Sequence, residues 1–166
     1  MNHEVEIRWL IRDDLPAVMR IENQSPGMPS SESDIIDELR KRNCVGMVAE
    51  HEGRIVGYMI YDLNQNALYV AKFAVAASWR RRGVGSTMAR KLINKLSVER
   101  RERICLEVGE TNLTAQLFWQ SQGFRAESIF RGSHDGSTED VYLMEYRLGV
   151  SAGNRISEYG RAFWAD

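Results

Sequence analysis

The sequence has few cysteines and no long apolar run, and each of these two features argues against a class of protein. Its two cysteines, Cys44 and Cys105, lack the paired spacing of a zinc or redox site, so we expect two buried free thiols. No apolar stretch is long enough to cross a bilayer. The N-terminus does not follow the basic-then-apolar order of a secretory signal. We therefore expect a cytoplasmic protein that does not bind membranes.

The sequence also has almost no excess of charge of either sign, and it has few histidines. The 22 basic and 23 acidic residues give a formal net charge of −1, which provides no reason to expect nucleic-acid binding. The three histidines, His3, His51 and His134, show no ligand spacing, so no metal site is predicted. The length of 166 residues is sufficient for one domain with its own core.

The most informative feature that is present is a basic, glycine-rich turn between a strand and a helix. The apolar run Ala67–Val75 leads to Arg80-Arg81-Arg82-Gly83-Val84-Gly85-Ser86, and the amphipathic stretch Thr87–Leu96 follows. Glycines allow a tight backbone turn, and the N–H groups of the first helical turn then face the loop. This end of a helix attracts anions, and three consecutive arginines add positive charge. The pattern predicts a phosphate-binding loop.

Two common phosphate motifs do not fit this turn. The Walker string GxxxxGK[ST] does not occur, and the dinucleotide string GxGxxG would need glycine where Met88 stands. Glu107 does lie roughly 20 residues further on, where a dinucleotide fold places its ribose-binding acid. However, the segments upstream read as an antiparallel meander: Cys44–Glu50, Arg54–Leu63 and Ala67–Val75. A plain turn before a helix remains the alternative.

The order of elements predicts an α/β fold with a mixed sheet. Helix-start signals occur at Asp13–Pro16 and Ser31–Asp34, and His51–Gly53 is typical of a hairpin turn. The pattern then alternates between helix and strand, which implies a parallel strand–helix–strand crossover. We predict a mostly antiparallel sheet of six to seven strands with helices on both faces. The later elements are expected at Thr87–Leu96, Ile104–Val108, Asn112–Gln122, Phe124–Arg131 and Glu139–Arg147.

Four motifs together resemble those of the GCN5-related N-acetyltransferases, the GNAT family. They are Arg80-x-x-Gly83-x-Gly85 after Phe73-Ala-Val75, the strand Leu106-Glu-Val108, Asn112, and the pair Gly123-Phe124. The segment Glu139–Met144 is similar to the closing strand of the bacterial ribosomal-protein-alanine acetyltransferases. The resemblance covers about Ile7 to Leu148. It implies the GNAT fold, acetyl-CoA as cofactor and transfer of an acetyl group to an amine.

The resemblance also implies roles for individual residues. Glu107, which interrupts an apolar strand where we expect it to be buried, corresponds to the family's general base. Asn112 would cap the next helix and contact the pantetheine arm. The backbone of the Phe73–Val75 strand would receive the thioester oxygen. The expected cofactor-binding residues are Phe73, Ala74, Val75, Arg80, Arg81, Arg82, Gly83, Val84, Gly85, Ser86 and Asn112.

The sequence departs from its nearest branch around the acceptor. The position four residues before Gly123, where relatives place a tyrosine acid, holds Trp119, whose indole N–H is a poor proton donor. Either the thiolate leaves without a dedicated acid, or water, Tyr142 or another group protonates it. Two tyrosines that shape the peptide pocket in relatives are absent, and Gly132-Ser-His134 stands in their place. We expect Trp119, Tyr142 and His134 to line the acceptor pocket.

Three functions remain open at this point. The first is acetylation of a protein N-terminus, because an α-amine is less fully protonated than lysine at neutral pH. The second is acetylation of a small-molecule amine, and the third is a non-catalytic acyl-CoA-binding regulatory domain. We expect residues 1–148 to form the acetyltransferase domain, as a monomer or homodimer. The extension 149–166 carries apolar residues at spacings that suggest packing on the domain or on a partner.

Overall fold

The computed structural model describes residues 4–26, 29–132 and 138–149. The chain forms two compact units that divide between Lys95 and Leu96. Among the described residues, every helix is too short or too polar to span a membrane. The predicted extension lies, from residue 150 onward, outside the described residues, as does His134.

The first unit contains a four-stranded antiparallel meander. Its second and third strands are joined by a tight turn in which Glu52 and Gly53 both have positive φ, 48° and 76°. Two such residues make the mirror-image turn that matches the twist of a hairpin. Each strand pairs with the next in chain order. The strands are β1 (Glu6–Trp9), β2 (Cys44–His51), β3 (Arg54–Leu63) and β4 (Ala67–Val75).

Helices cover both faces of this meander. Helices α1 (Leu15–Glu22) and α2 (Glu32–Leu39) pack on one face, where their apolar residues form a core with β2, β3 and β4. Helix α3 (Val84–Ile93) packs on the other face, against Gly57, where an added Cβ would come within 3.0 Å of a side chain of α3. Glycine therefore sets how closely α3 approaches β3.

The described residues of the second unit form three antiparallel strands and one helix. The strands are β5 (Arg103–Gly109), β6 (Arg125–Phe130) and β7 (Val141–Arg147), with β7 in the middle. Helix α4 (Leu113–Ser121) begins after Asn112 and ends before Gly123, which adopts a φ of 94°. The N–H groups of Gly123 and Phe124 then bond back to the last helical turn, which is the Schellman termination.

The predicted order of elements is confirmed, with differences in detail. The strand Ala67–Val75 has the predicted bounds, and the seven strands pair in an antiparallel manner inside each unit. The predicted start of α3 at Thr87 is wrong, because Val84 already packs its side chain on the sheet and only 2% of it is exposed. The prediction of buried thiols is also wrong in part: Cys44 and Cys105 are free but only half-buried.

Candidate functional site

The basic loop of the first unit is held in a left-handed backbone conformation. Arg81 has a φ of 60° and Gly83 a φ of 84°, and Gly83 is the N-cap of α3. Because glycine has no side chain, it offers no acceptor to the N–H groups of the first helical turn. The carbonyl of Gly83 instead accepts from the backbone N–H and the hydroxyl of Thr87, at 3.0 and 2.9 Å. The positive end of α3 is thus left uncapped by a side chain, as an anion site requires.

The three arginines of the loop have different surroundings. Arg80 turns back, and its guanidinium donates to the carbonyl of Val75 and to that of Gln24, both at 3.1 Å. It therefore braces the loop against the end of β4 and the end of α1. The guanidinium of Arg82 lies over the ring of Trp79, 5.1 Å from its centroid. Arg81 and Arg82 are exposed and can reach a phosphate, whereas the guanidinium of Arg80 is occupied by hydrogen bonds to backbone carbonyls.

A bulge in β4 precedes the segment expected to meet the thioester. Ile60 pairs with Lys72 and Tyr61 with Val70, so Ala71 is the extra residue. A bulge leaves one residue unpaired and bends its strand, and bulges occur often beside active sites. After the bulge, Phe73 and Val75 share the α3 face of the sheet with Gly57, while Lys72 and Ala74 share the face of α1 and α2.

Glu107 in β5 is exposed, so the predicted burial of its side chain is wrong. The apolar residues of the strand alternate: Ile104, Leu106 and Val108 are buried on one face, and Glu107 points to the other. The exposed carboxylate can meet an incoming amine without any rearrangement of the core. The sequence pattern alone could not distinguish this strand from one buried on both faces.

Glu107 and Tyr142 lie on opposite faces of the three-stranded sheet. Glu107 pairs with Leu143, whereas Tyr142 pairs with Val108 and shares a face with Tyr146, whose ring contacts that of Phe124 just after α4. A base would act on the amine nitrogen and an acid on the sulfur, so two groups on opposite faces would have to reach different atoms. The expectation that Tyr142 is among the groups able to protonate the leaving thiolate stays a prediction.

The other expected residues of the second unit are on α4. The side-chain oxygen of Asn112 accepts from the N–H of Ala115 at 3.1 Å, which confirms its N-cap role. Trp119 is 4% exposed, and its ring lies between those of Phe118 and Phe124, at 4.9 and 4.8 Å. Trp119 is therefore a packing residue. Leu117 of the same helix is 53% exposed.

Sequence reasoning missed a hydrogen-bonded group of four polar residues in the first unit, in which Glu22 and Tyr58 are buried and Ser30 and Lys72 are half-buried. The hydroxyl of Tyr58 donates to Glu22, Glu22 also accepts from the N–H of Ser30 at 3.0 Å, and Lys72 donates to the Ser30 hydroxyl. Burial and the Glu22 hydrogen bond raise the pKa of Tyr58 well above its usual range, so it remains a neutral donor. Lys72 interrupts an apolar strand just as Glu107 does, and that signal could have identified it.

These features are those of an α/β protein with a basic loop before a glycine-capped helix, an arrangement that suits a phosphate. The chain belongs to the Acetyltransferase (GNAT) family, whose model matches residues 6–124. It is accordingly an N-acetyltransferase, an acyltransferase that takes its acetyl group from acetyl-CoA. This membership confirms the predicted family and cofactor.

Curated relatives agree with this assignment. The chain is 28% identical over 139 residues to an uncharacterized N-acetyltransferase of Methanocaldococcus jannaschii, covering 83% of this chain and 88% of that protein. It is 26% identical over 146 residues to the [ribosomal protein bS18]-alanine N-acetyltransferase of Salmonella typhimurium, covering 87% and 98%.

Solved structures confirm the fold. The crystal structure of the ribosomal-protein-S18-alanine N-acetyltransferase from Escherichia coli matches with a TM-score of 0.77 at 23% identity, over 91% of this chain and 98% of that one. The structure of Arabidopsis thaliana NAA60 in complex with acetyl-CoA matches with a TM-score of 0.76 at 15% identity, over 89% and 100%. The predicted α/β fold of the GNAT type is therefore confirmed.

Proposed function

We propose that this enzyme acetylates the N-terminal α-amine of a protein by direct transfer, with Glu107 as general base. The observation that carries the proposal is the exposed carboxylate of Glu107 in a strand whose other face is buried. The full-length similarity to alanine N-acetyltransferases of ribosomal protein bS18 supports a protein N-terminus as the acceptor.

Different residues bind the diphosphate, orient the thioester and support the loop. The N–H groups at the start of α3 and the side chains of Arg81 and Arg82 bind the diphosphate of the cofactor. The backbone of Phe73–Val75 orients the thioester, which acetyl-CoA supplies, and Asn112 contacts its arm. Arg80 braces the loop through the carbonyls of Val75 and Gln24.

Proton transfer limits which group can attack. An α-amine has a pKa of roughly 8, so most of it is protonated at neutral pH and must lose a proton before it attacks. Glu107 accepts that proton, directly or through one water. The new N–C bond then replaces the C–S bond, and the sulfur leaves as a thiolate that takes a proton from water. Trp119 takes no part in this transfer, because its indole is a poor proton donor.

A thiol-release assay with matched acceptors tests the proposal. A short peptide with a free Ala or Ser N-terminus should stimulate release of free CoA thiol, and the same peptide with a blocked α-amine should not. Activity on the blocked peptide through a lysine, or on small amines alone, would reject the N-terminal assignment. Binding of acetyl-CoA without transfer to any amine would favour a regulatory domain instead.

A further inference from the structure

Lys72 is a half-buried lysine in β4, directly before the Phe73–Val75 segment. It pairs with Ile60, so its side chain lies on the face that α1 and α2 cover. Its ammonium group contacts the hydroxyl of Ser30, in the segment that leads into α2. Lysine is rarely buried unless it is paired with an anion, so this placement requires an explanation.

Lys72 forms no direct salt bridge among the described residues, although the charge of Asp34 lies near enough to interact with it. An ammonium group has three N–H donors, and here its one hydrogen-bond partner in the described part of the chain is a neutral hydroxyl. Glu22 is connected to the same group, but its two oxygens already accept from Tyr58 and from the N–H of Ser30. Asp34 accepts from the N–H and the hydroxyl of Ser31, at 2.9 and 2.7 Å. The cation can therefore accept an external anion.

Lys72 lies on the face of β4 that we assign to the acceptor and not on the face of the cofactor loop. The loop proposed for the diphosphate leads into α3, which packs on the opposite face of β4. Because two substrates that react at one strand need separate approaches, the face of α1 and α2 is left for the amine. Lys72 is a cation on that face, and it directly precedes the Phe73–Val75 segment that orients the thioester.

We propose that Lys72 binds a carboxylate of the acceptor, and that the enzyme prefers amines with an acidic group close by. The inference rests on the proposed function and makes it more specific: the favoured substrate is an N-terminus with Asp or Glu among its first residues. The carboxylate could also be the α-carboxylate of a free amino acid, and the test separates the two sources.

The experiment compares two pairs of acceptors that differ only in charge. One pair is Ala-Glu and Ala-Gln at the start of otherwise identical peptides, and the other is alanine and alaninamide. The wild type should show a KM about tenfold lower for the Ala-Glu peptide than for Ala-Gln, as one charge-assisted hydrogen bond would give. Lys72→Met should reduce that ratio to about one, and Lys72→Arg should keep it. A KM that is about tenfold lower for alanine than for alaninamide would identify the α-carboxylate of a free amino acid as the group that Lys72 binds.

Controls separate this role from loss of structure or of activity. Lys91→Met removes an exposed charge of α3 and should leave the ratio unchanged. Melting curves and acetyl-CoA affinity establish that Lys72→Met remains folded. A wild-type ratio near one in both pairs, or the same ratio in Lys72→Met, would overturn the inference. Calorimetric titration of the same acceptors gives the ratio without turnover, so failure of the proposed function would be seen separately.

Discussion

The ring of Trp119 packs on the ring of Phe124 with centroids 4.8 Å apart, and the backbone N–H of Phe124 donates to the Trp119 carbonyl at 3.0 Å. These two interactions therefore join the end of α4 to the residue that precedes β6. The ring contact also explains how tryptophan is accommodated where the family resemblance implied a tyrosine: the indole belongs to the core of the second unit.

We expect Trp119→Phe to keep most of the wild-type kcat, because an aromatic ring preserves the packing and no proton passes through the indole. Trp119→Ala should lower the free energy of unfolding by about 3–5 kcal/mol, as for other large buried aromatic residues. Turnover measurements and denaturant titration check both variants. A loss of about 10²-fold in kcat for a stably folded Trp119→Phe would show that the indole N–H participates in the reaction.

Removal of the carboxylate at Glu107 should affect the chemical step alone. We expect Glu107→Gln to lower kcat by about 10²-fold or more, with little change in acetyl-CoA affinity, because a general base contributes roughly this factor. Glu127→Gln changes an exposed acid of β6 and is the matched control. Steady-state kinetics with a peptide acceptor measure both. Equal turnover in the two variants would mean that Glu107 has no catalytic role.

Gly83 should be required for cofactor binding because of its backbone conformation. Its φ of 84° strains any residue with a Cβ, by about 1–2 kcal/mol, although no atom stands within 4 Å of an added Cβ. We expect Gly83→Ala to weaken acetyl-CoA binding about tenfold, and Gly83→Asn, which tolerates this region better, to weaken it less.

Gly53 provides the control for that experiment. It has a similar φ of 76° and equally open surroundings, but it lies in the hairpin turn between β2 and β3. Gly53→Ala should lower stability to a similar extent and leave acetyl-CoA affinity unchanged. Equal loss of affinity in both alanine variants, measured by calorimetry, would indicate a global effect and not a loop-specific one.

The pair of Arg8 and Asp14 should make stability depend on pH. Arg8 donates to both oxygens of Asp14 at 2.8 and 2.9 Å, and the N–H of Ile11 donates to Asp14 at 2.9 Å. The hydrogen bonds from Arg8, followed by that from Ile11, hold the pKa of Asp14 below its ordinary value in spite of burial. This stabilisation is fully present above the unfolded pKa of about 4 and is lost as pH falls through the folded pKa.

Asp14→Asn tests this dependence. We expect the variant to unfold more easily than wild type by about 1–3 kcal/mol at neutral pH and to lose less stability on acidification, because the titrating group is gone. Asp13→Asn, at the exposed neighbouring position, should retain the wild-type slope of the unfolding free energy against pH. Urea titrations between about pH 7 and pH 3 supply the slopes. Identical slopes for Asp14→Asn and wild type would contradict the assignment.

The sequence by itself determined the features that depend on neighbours along the chain. The bounds of β4, the hairpin turn at Glu52–Gly53, the cap at Asn112 and the helix end at Gly123 all follow from local backbone preferences, which a few consecutive residues set. The family motifs are equally local, so the fold class and the cofactor could be predicted from them.

Only the tertiary structure decided which polar residues meet and which face each of them occupies. Lys72 reaches Ser30 across 42 positions of sequence, Tyr58 reaches Glu22 across 36, and Arg80 reaches Gln24 across 56. Glu107 is exposed although it interrupts an apolar run. The physical reason is that burial and pairing depend on the elements packed against a strand, which its own residues do not encode. The start of α3 at Val84 could not be predicted for the same reason, because the first turn of the helix contacts Gly57 in β3, which is distant in sequence.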